Sequence, residues 1–332
     1  MNRKSLIISL VLSCVLILGS STVYAGPPAA APSVSSLASG LGITLGSTVG
    51  PDGALYVPNA AGEIWRVDPQ TGDKSIFASG LPQAIFPIGG PMDVAFIGET
   101  AYALVSIVGS DIGGNDIVGI YRVDSPSDFT VVADLGQWSI DNPSGSDVFI
   151  PSGVFYALEI FRGGFLVTDG HHNRVLWATR DGEVNEMRAF DDNVPTGLAV
   201  RGDTIYMAEA GEVPHYPEDG KVMAFGPKSD AATELAAGAP LLVDVEFGRG
   251  HTLYALAQGY WSGMFGGDGS PADPYTGSLV QVKGDGTFDS IVEELNQPTS
   301  LEFIGNTAYV ITFGGEILKI DDVSGPPFGT WR

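Results

Sequence analysis

The sequence predicts an all-β fold in which one unit of four antiparallel strands is repeated six times. A short apolar segment with a tyrosine or leucine at its centre recurs along the chain at intervals of about 40 to 60 residues. Each copy follows a strand-like segment and a turn, and a third strand-like segment comes after it. The 45 glycines and 22 prolines exclude long helices, because both residue types destabilise a helix interior. This pattern predicts a six-bladed β-propeller.

The first repeat shows how its strands are recognised. A Gly-Pro-Asp-Gly turn at residues 50–53 precedes the second strand at 54–57, and the third and fourth strands follow at 64–67 and 75–78. The second strands of the other repeats are expected at residues 101–104, 165–168, 205–208, 253–256 and 308–311. Their third strands are expected at residues 120–123, 175–178, 222–225, 279–282 and 317–320.

The sixth repeat ends after its third strand and leaves no room for a fourth. Residues 34–38 (Val-Ser-Ser-Leu-Ala) precede the first repeat at the spacing that a fourth strand would have. Pairing of this segment with the sixth repeat would close the ring and remove an exposed sheet edge. The sequence therefore predicts a ring closed by the N-terminal strand.

Residues 1–25 are expected to be a secretory signal peptide. Arg3 and Lys4 precede an apolar run at 6–18, which is too short to span a membrane, and cleavage is expected after Ala25. The one cysteine, Cys14, lies in this run, and lipid attachment to it is the alternative. The expected mature chain is one propeller domain, residues 26–332, which is periplasmic or secreted and has no thiol.

The charge of the chain excludes two classes of partner. With 39 acidic against 16 basic residues, the net charge of −23 offers no basic stripe to nucleic acid or to anionic lipid, and no membrane insertion is expected after signal cleavage. Motifs for a serine nucleophile elbow, a phosphate-binding loop and a His-Glu-x-x-His zinc site are absent from the sequence. The remaining candidates for chemistry are carboxylates, histidines and aromatic loops.

Several segments carry a resemblance to known propellers. Residues 50–57 (Gly-Pro-Asp-Gly-Ala-Leu-Tyr-Val) resemble the core of an NHL-type repeat, although the corresponding turns of three later repeats lack Asp-Gly. Residues 194–200, 211–217 and 324–329 resemble the ScyD/ScyE-like family of secreted propellers, which is named for scytonemin biosynthesis. The resemblance implies a six-bladed secreted propeller and an accessory role in making a secreted metabolite. It supplies no catalytic residues.

Acidic residues recur on the strands that are expected to line the central channel. Alignment of the first strands places Glu159, Glu246 and Glu302 in one column and Asp93 and Asp244 two residues earlier. Residues two apart share a face of a strand, so these carboxylates are expected to converge. They could hold a cation such as Ca²⁺ through oxygen ligands. The alternative is that backbone N–H groups or channel water satisfy them.

The loops between second and third strands are the other candidate site. They carry three histidines, one acid and the aromatic residues of a long insert, namely His171, His172, Glu209, His215, Tyr260, Trp261, Phe265 and Tyr275. The histidines could hold a transition metal or act as a base, and aromatic rings beside acids suit a sugar, another small molecule, a peptide or a protein. The alternative is that these side chains only form turns and pack the loops.

Three functions remain open at this point. The first is a binding or scaffolding module outside the cytoplasm. The second is a cation-dependent hydrolase that resembles lactonases and gluconolactonases, for which Glu159, Asn193 and Asp244 are candidate ligands at the channel mouth. The third is the accessory role in metabolite synthesis that the ScyD/ScyE resemblance implies. Fold resemblance alone does not choose between them.

Overall fold

The protein is built from six four-stranded antiparallel sheets that form a ring, as predicted. The structure is a computed structural model that describes residues 32–145, 148–264, 266–267 and 269–323. Neighbouring blades contact each other through their first strands around the whole ring, from the first blade to the sixth and back to the first. The predicted six-bladed β-propeller is confirmed.

Blades 1 to 3 follow the predicted strand order. Blade 1 comprises β2 (Thr48–Val49), β3 (Leu55–Asn59), β4 (Glu63–Val67) and β5 (Lys74–Ser79). Blade 2 comprises β6 (Gly90–Ile97), β7 (Thr100–Ser106), β8 (Gly119–Ser125) and β9 (Asp128–Asp134). Blade 3 comprises β10 (Phe155–Phe161), β11 (Gly164–Asp169), β12 (Arg174–Ala178) and β13 (Val184–Ala189).

Blades 4 to 6 repeat this order, and blade 6 takes its outer strand from the N-terminus. Blade 4 comprises β14 (Pro195–Arg201), β15 (Thr204–Glu209), β16 (Lys221–Phe225) and β17 (Thr233–Ala237). Blade 5 comprises β18 (Leu242–Phe247), β19 (Leu253–Ala257), β20 (Gly277–Val282) and β21 (Phe288–Leu295). Blade 6 comprises β22 (Pro298–Ile304), β23 (Thr307–Thr312), β24 (Ile317–Asp321) and β1 (Ser33–Ala38).

Helical structure among the described residues is confined to connections. One α-helix, α1 (Leu135–Asp141), follows blade 2, and its first turn is capped by Asp134, whose side chain accepts a hydrogen bond from the Gln137 N–H. Three 3-10 turns cover Ser110–Ile112, Pro217–Asp219 and Arg249–His251.

The N-terminal strand closes the ring as predicted. Strand β1 pairs antiparallel with β24, from Ser33 opposite Asp321 to Ala38 opposite Ile317. The outer edge of β24 is therefore covered by β1, which becomes the outermost strand of blade 6 as the fourth strands are in the other blades.

In five of the six blades the repeated tyrosine of the second strand contacts the next blade, and blade 3 has Leu166 at this position. Tyr56 of β3 lies 4.7 Å from Phe96 of β6, and Tyr254 of β19 lies 4.9 Å from Phe303 of β22, as measured between ring centroids. Such aromatic pairs contribute about 0.5–1.5 kcal/mol each beyond the apolar area that they bury. In the last blade the hydroxyl of Tyr309 donates to the Pro69 carbonyl of blade 1 at 3.1 Å. The period seen in the sequence is thus the period of contacts between blades.

Candidate functional site: channel and loop face

The central channel brings together all five carboxyls that the sequence singled out for it. It encloses a cavity of about 40 Å³ whose lining includes Asp93, Glu159, Asp244, Glu246 and Glu302. Glu159, Glu246 and Glu302 lie opposite Leu166, Tyr254 and Tyr309 of the second strands, in the predicted register. Each of these residues keeps some accessible surface, although its carboxyl is buried.

The two aspartates join neighbouring blades. Asp93 accepts hydrogen bonds from the backbone N–H of Val94 and of Leu158, both at 2.8 Å, and so links β6 to β10. Asp244 accepts from Val245 at 2.8 Å and from Leu301 at 2.7 Å, and so links β18 to β22. Both oxygens of each carboxyl therefore accept backbone hydrogen bonds, which gives these two residues a role in holding blades together.

Two glycines make room for these aspartates. A Cβ atom at Gly46 would lie 2.4 Å from an Asp93 carboxyl oxygen, and a Cβ atom at Gly197 would lie 2.4 Å from an Asp244 carboxyl oxygen. No side chain larger than hydrogen fits at such distances. In both cases the aspartate packs against a glycine in the same column of the preceding blade, and this pairing was visible in the sequence but was missed.

The three glutamates have fewer hydrogen-bond donors. Glu246 accepts from the Phe247 N–H at 2.6 Å, and burial raises its pKa to about 8. Burial, followed by repulsion from the other channel carboxyls, raises the pKa of Glu159 and of Glu302 well above the usual range. Burial also raises the pKa of Asp244, to about 7, and that of Asp93. A channel with these properties holds protons near neutral pH unless a cation neutralises it.

The histidines of the loops do not form a common site. His172 is only 3% exposed, and its Nδ1 lies 2.8 Å from the Asp169 carboxylate, which also pairs with Arg174. His171 accepts hydrogen bonds at Nε2 from the backbone of residues 149 and 150, and burial lowers its pKa. His215 lies in blade 4, where its ring nitrogen contacts the Gly211 carbonyl oxygen at 2.8 Å. Nowhere in the described chain do three His, Cys, Asp or Glu side chains stand close enough to hold a metal ion.

The ion pair beside His172 anchors helix α1. Arg174 is buried, donates to the Asn142 carbonyl at 2.7 Å and to the Ser139 hydroxyl at 2.9 Å, and stacks on Trp138. The predicted ligand His172 therefore belongs to a network that fixes the connection between blades 2 and 3. Its Nε2 is buried and has no hydrogen-bond partner.

Glu209 is also buried rather than presented to solvent. Its exposed fraction is 0%, one carboxyl oxygen lies 3.3 Å from the Asn193 amide nitrogen, and the other has no partner. Burial raises its pKa to about 7. Asn193 and Glu209 thus form one pair at the end of β15, away from the carboxyls of the channel cavity.

The aromatic insert of blade 5 divides into anchored and exposed rings. Trp261 is half-buried, packs against His215 and donates through Nε1 to Ser270, whereas Tyr260 and Tyr275 are exposed. Phe265, also predicted here, lies outside the described residues. Because Trp261 and the buried Ala272 contact the hydrophobic core, replacement of the whole insert would also remove packing.

We call the side of the disc on which these connections emerge the loop face. Within the described residues it comprises segments 39–47, 60–62, 80–89, 107–118, 135–145, 148–154, 170–173, 190–194, 210–220, 238–241, 258–264, 266–267, 269–276, 296–297 and 313–316. Most of the large apolar side chains that are exposed in the described chain lie in these segments, namely Ile85, Phe86, Ile117, Ile140, Phe149, Val213, Tyr216, Tyr260, Met264 and Tyr275. The others, Val34 and Ile76, lie on outer strands.

The loop face contains no basic residue apart from histidine. None of the segments that define it contains a lysine or an arginine. They contain the acids Asp111, Asp116, Asp141, Asp191, Asp192, Glu212, Glu218, Asp219, Asp273 and Glu316. The face therefore combines exposed apolar groups with uncompensated negative charge. The sequence analysis identified some of these exposed apolar residues, but it missed Phe149 and Met264, which are 73% and 79% exposed.

Propellers with quite different activities share this fold. A gluconolactonase from Xanthomonas campestris covers 89% of this chain and 90% of its own, with a TM-score of 0.60 and 12% identity. The match to an oxidoreductase from Thermus thermophilus, described as a glucose dehydrogenase, covers 87% of this chain and 99% of that chain, with a TM-score of 0.59 and 15% identity. The match to a chain of a nidogen/laminin complex covers 76% of this chain and 83% of that chain, with a TM-score of 0.51 and 13% identity.

Sequence comparison is less informative. No family model matches the chain, and no curated protein matches it. In the part of the chain that the structure describes, no helix is long and apolar enough to cross a membrane. At identities of 12–15% the likeness to solved structures shows the fold alone: this chain is a six-bladed β-propeller, and its structural neighbours include a gluconolactonase, a protein described as a glucose dehydrogenase and a chain of a nidogen/laminin complex.

Proposed function

We propose that this protein is a binding propeller whose loop face captures a cationic segment of another protein. The observation that carries the proposal is the composition of that face, where exposed apolar side chains stand among acids and no lysine or arginine is present. A partner with lysine or arginine beside apolar groups would complement both properties. The apolar side chains come from the connections of several blades, and this breadth suits a protein partner better than a small molecule.

Two kinds of interaction would contribute to capture. Exposed rings such as Tyr260 and Tyr275 supply large contact area with few rotatable bonds, which makes them suitable anchors. The acids around them would attract a basic partner and orient it, mainly by raising the association rate. His172 and Glu209 would act indirectly, because both lie buried beneath the face.

Selection from peptides of random sequence tests this proposal. A random peptide library on phage is selected on the wild-type protein, and recovered peptides are measured against Tyr260→Ser/Tyr275→Ser and against Ile76→Ser, which changes an exposed apolar residue on an outer strand. We expect recovered peptides to be rich in lysine, arginine and aromatic residues and to bind the double variant about tenfold more weakly or worse. Recovery of acidic peptides, or equal binding to all three proteins, would refute the proposal.

The channel favours a second candidate, a cation-dependent hydrolase. Oxygen donors are the ligands that Ca²⁺ prefers, and Glu159, Glu246 and Glu302 are not saturated by backbone donors. As the side chains are placed, however, they do not fit an ion, since no three of the described acids come close enough together. A calcium-dependent rise in melting temperature that is lost in Glu246→Gln would support this candidate, and no rise in the wild-type protein would remove it.

We further propose that the chain works outside the cytoplasm after removal of residues 1–25. This rests on the charged start, the apolar run and the small residues before Ala25. Mass spectrometry of exported protein should find Gly26 as the first residue, whereas an intact N-terminus or a lipid on Cys14 would contradict it. A scaffold of this kind is compatible with the accessory role in secreted-metabolite synthesis that the ScyD/ScyE resemblance implies.

A further inference from the structure

A groove between blades 2 and 3 opens on the side of the disc opposite the loop face. It has a volume of about 550 Å³, within the range of small-molecule sites, and turns between first and second and between third and fourth strands contribute to its lining. The residues that matter for its chemistry are Tyr102, Arg122, Arg162, Trp177, Arg180 and Asp181. None of them belongs to the channel or to the loop face.

Basic side chains outnumber acidic ones in the lining of this groove, whereas the molecule as a whole is acidic. Three of the 16 lysines and arginines of a chain with net charge −23 line it, against one lining carboxylate, Asp181. Arg122 pairs with Asp124 at 2.6 Å and Arg162 with Asp203 at 2.8 Å, but these pairs are partly exposed and therefore weak. These two ion pairs use only some of the guanidinium N–H groups of Arg122 and Arg162. Arg180 makes no ion pair or hydrogen bond with any described residue.

Trp177, which lines the groove, has an indole N–H without an acceptor. Nε1 of Trp177 is buried and has no hydrogen-bond partner. An unpaired buried donor is unfavourable unless a ligand or a water molecule accepts from it. Gly164 lies beside this group, and a Cβ atom there would stand 3.3 Å from the indole nitrogen. The lining therefore offers donors in excess of acceptors, which suits a ligand that carries oxygen acceptors.

We propose that this groove binds a small organic anion. The carboxylate or phosphate oxygens of the anion accept hydrogen bonds from Arg122, Arg162 and Arg180. The carbon skeleton or ring of the anion lies against Trp177 and Tyr102. Arginine is well suited to this role because its planar fork matches both oxyanions. The site is independent of the proposed capture of a protein by the loop face, since the two share no residue.

The indole signal of Trp177 provides a local test. Protein labelled with ¹⁵N at tryptophan is titrated with D-glucuronate, with D-glucose 6-phosphate and with neutral D-glucose, and the Trp177 resonance is assigned by its loss in Trp177→Phe. We expect a saturable shift of this resonance with at least one of the anions and none with glucose. Which of the two anions binds distinguishes a carboxylate ligand from a phosphate ligand.

Matched substitutions separate a specific site from general charge effects. Arg180→Gln should weaken anion binding by about tenfold, because a hydrogen bond to a charged group contributes at least about 1.4 kcal/mol. Lys228→Gln removes a cation from the equivalent turn of blade 4 and should change the affinity less than about twofold. Both residues are exposed, so both variants should keep the wild-type melting temperature. The proposal is overturned if neither anion shifts the Trp177 resonance saturably, or if both variants lose affinity equally.

Discussion

Neutralising Glu246 should change how the stability of the protein depends on pH. Burial raises the pKa of this carboxyl from its usual 4.5 to about 8, so the folded state keeps a proton that the unfolded chain releases. The stability contribution of this carboxyl should therefore be most favourable at low pH and should fall as pH rises from about 4.5 to about 8, above which it no longer changes. A shift of about 3.5 pKa units corresponds to an upper limit of about 5 kcal/mol, and channel water lowers this figure.

The substitution Glu246→Gln removes this titration and one source of repulsion for Glu159 and Glu302. At pH 8 the variant should be more stable than the metal-free wild-type protein by about 2–5 kcal/mol, and at pH 4.5 the two should be nearly equal. The assay is urea unfolding with a chelator at a series of pH values. Glu99→Gln, which changes an exposed glutamate in a turn of blade 2, is the control and should follow the wild-type curve.

The outcome also discriminates between the two proposed functions. If the wild-type and Glu246→Gln curves run parallel across this pH range, the reasoning about the channel carboxyls is wrong. If added calcium stabilises the wild-type protein at pH 8 but not the variant, a cation replaces the protons, and the gain should reach about 2.7 kcal/mol at a hundred times the dissociation constant. If lowering the pH restores the stability of the wild-type protein and calcium does not, the channel carboxyls have a structural role, and the binding function is favoured.

Three further outcomes follow from the fold and from the loop face. Deletion of residues 26–40 should destabilise the whole protein by about 2–5 kcal/mol, because the strand pairing that closes the ring is lost, whereas deletion of 26–31 should leave the urea midpoint unchanged. Gly197→Ala should lower the free energy of unfolding by about 1–3 kcal/mol in the same assay, because the added methyl group displaces Asp244. Gly284→Ala, which has open space around it, should leave this free energy nearly unchanged. Equal effects of the two substitutions would contradict the role of Asp244 in linking two blades. Peptide capture should weaken several-fold between about 0.05 and 0.5 M NaCl, and a salt-independent affinity would exclude the acids from recognition.

The arrangement of the channel was largely predictable, because strand registry depends on local patterns. The tyrosine or leucine at the centre of each second strand marks the residue opposite it on the first strand, and side chains alternate with a period of two, so Glu159, Glu246 and Glu302 could be placed in one column. The pattern did not predict the hydrogen-bond partners of Asp93 and Asp244. Their partners are backbone N–H groups of the next blade, and no residue type at those positions reveals that a donor is present.

The loop face was harder to predict, because its contacts join segments that are distant in the sequence. The burial of His172 depends on Arg174 and on helix α1, which lies in a connection where the sequence pattern predicts no regular element. One local signal for that helix was present: Asp134 stands where a helix cap is expected and accepts from the N–H three residues later. Contacts such as that of Arg174 with Trp138 depend on how the connection packs, which composition does not specify.

The distribution of charge connects the two proposed sites. Acids occupy the loop face without any lysine or arginine, whereas Arg122, Arg162 and Arg180 gather in the groove on the opposite side. The molecule therefore has a negative and a less negative end, and its field would orient a cationic protein towards the loop face before contact. A small anion would meet the least repulsion at the groove. Because rigid blades separate the sites and no residue is shared, we expect the two binding free energies to be additive, and peptide affinity should not change when the groove is saturated.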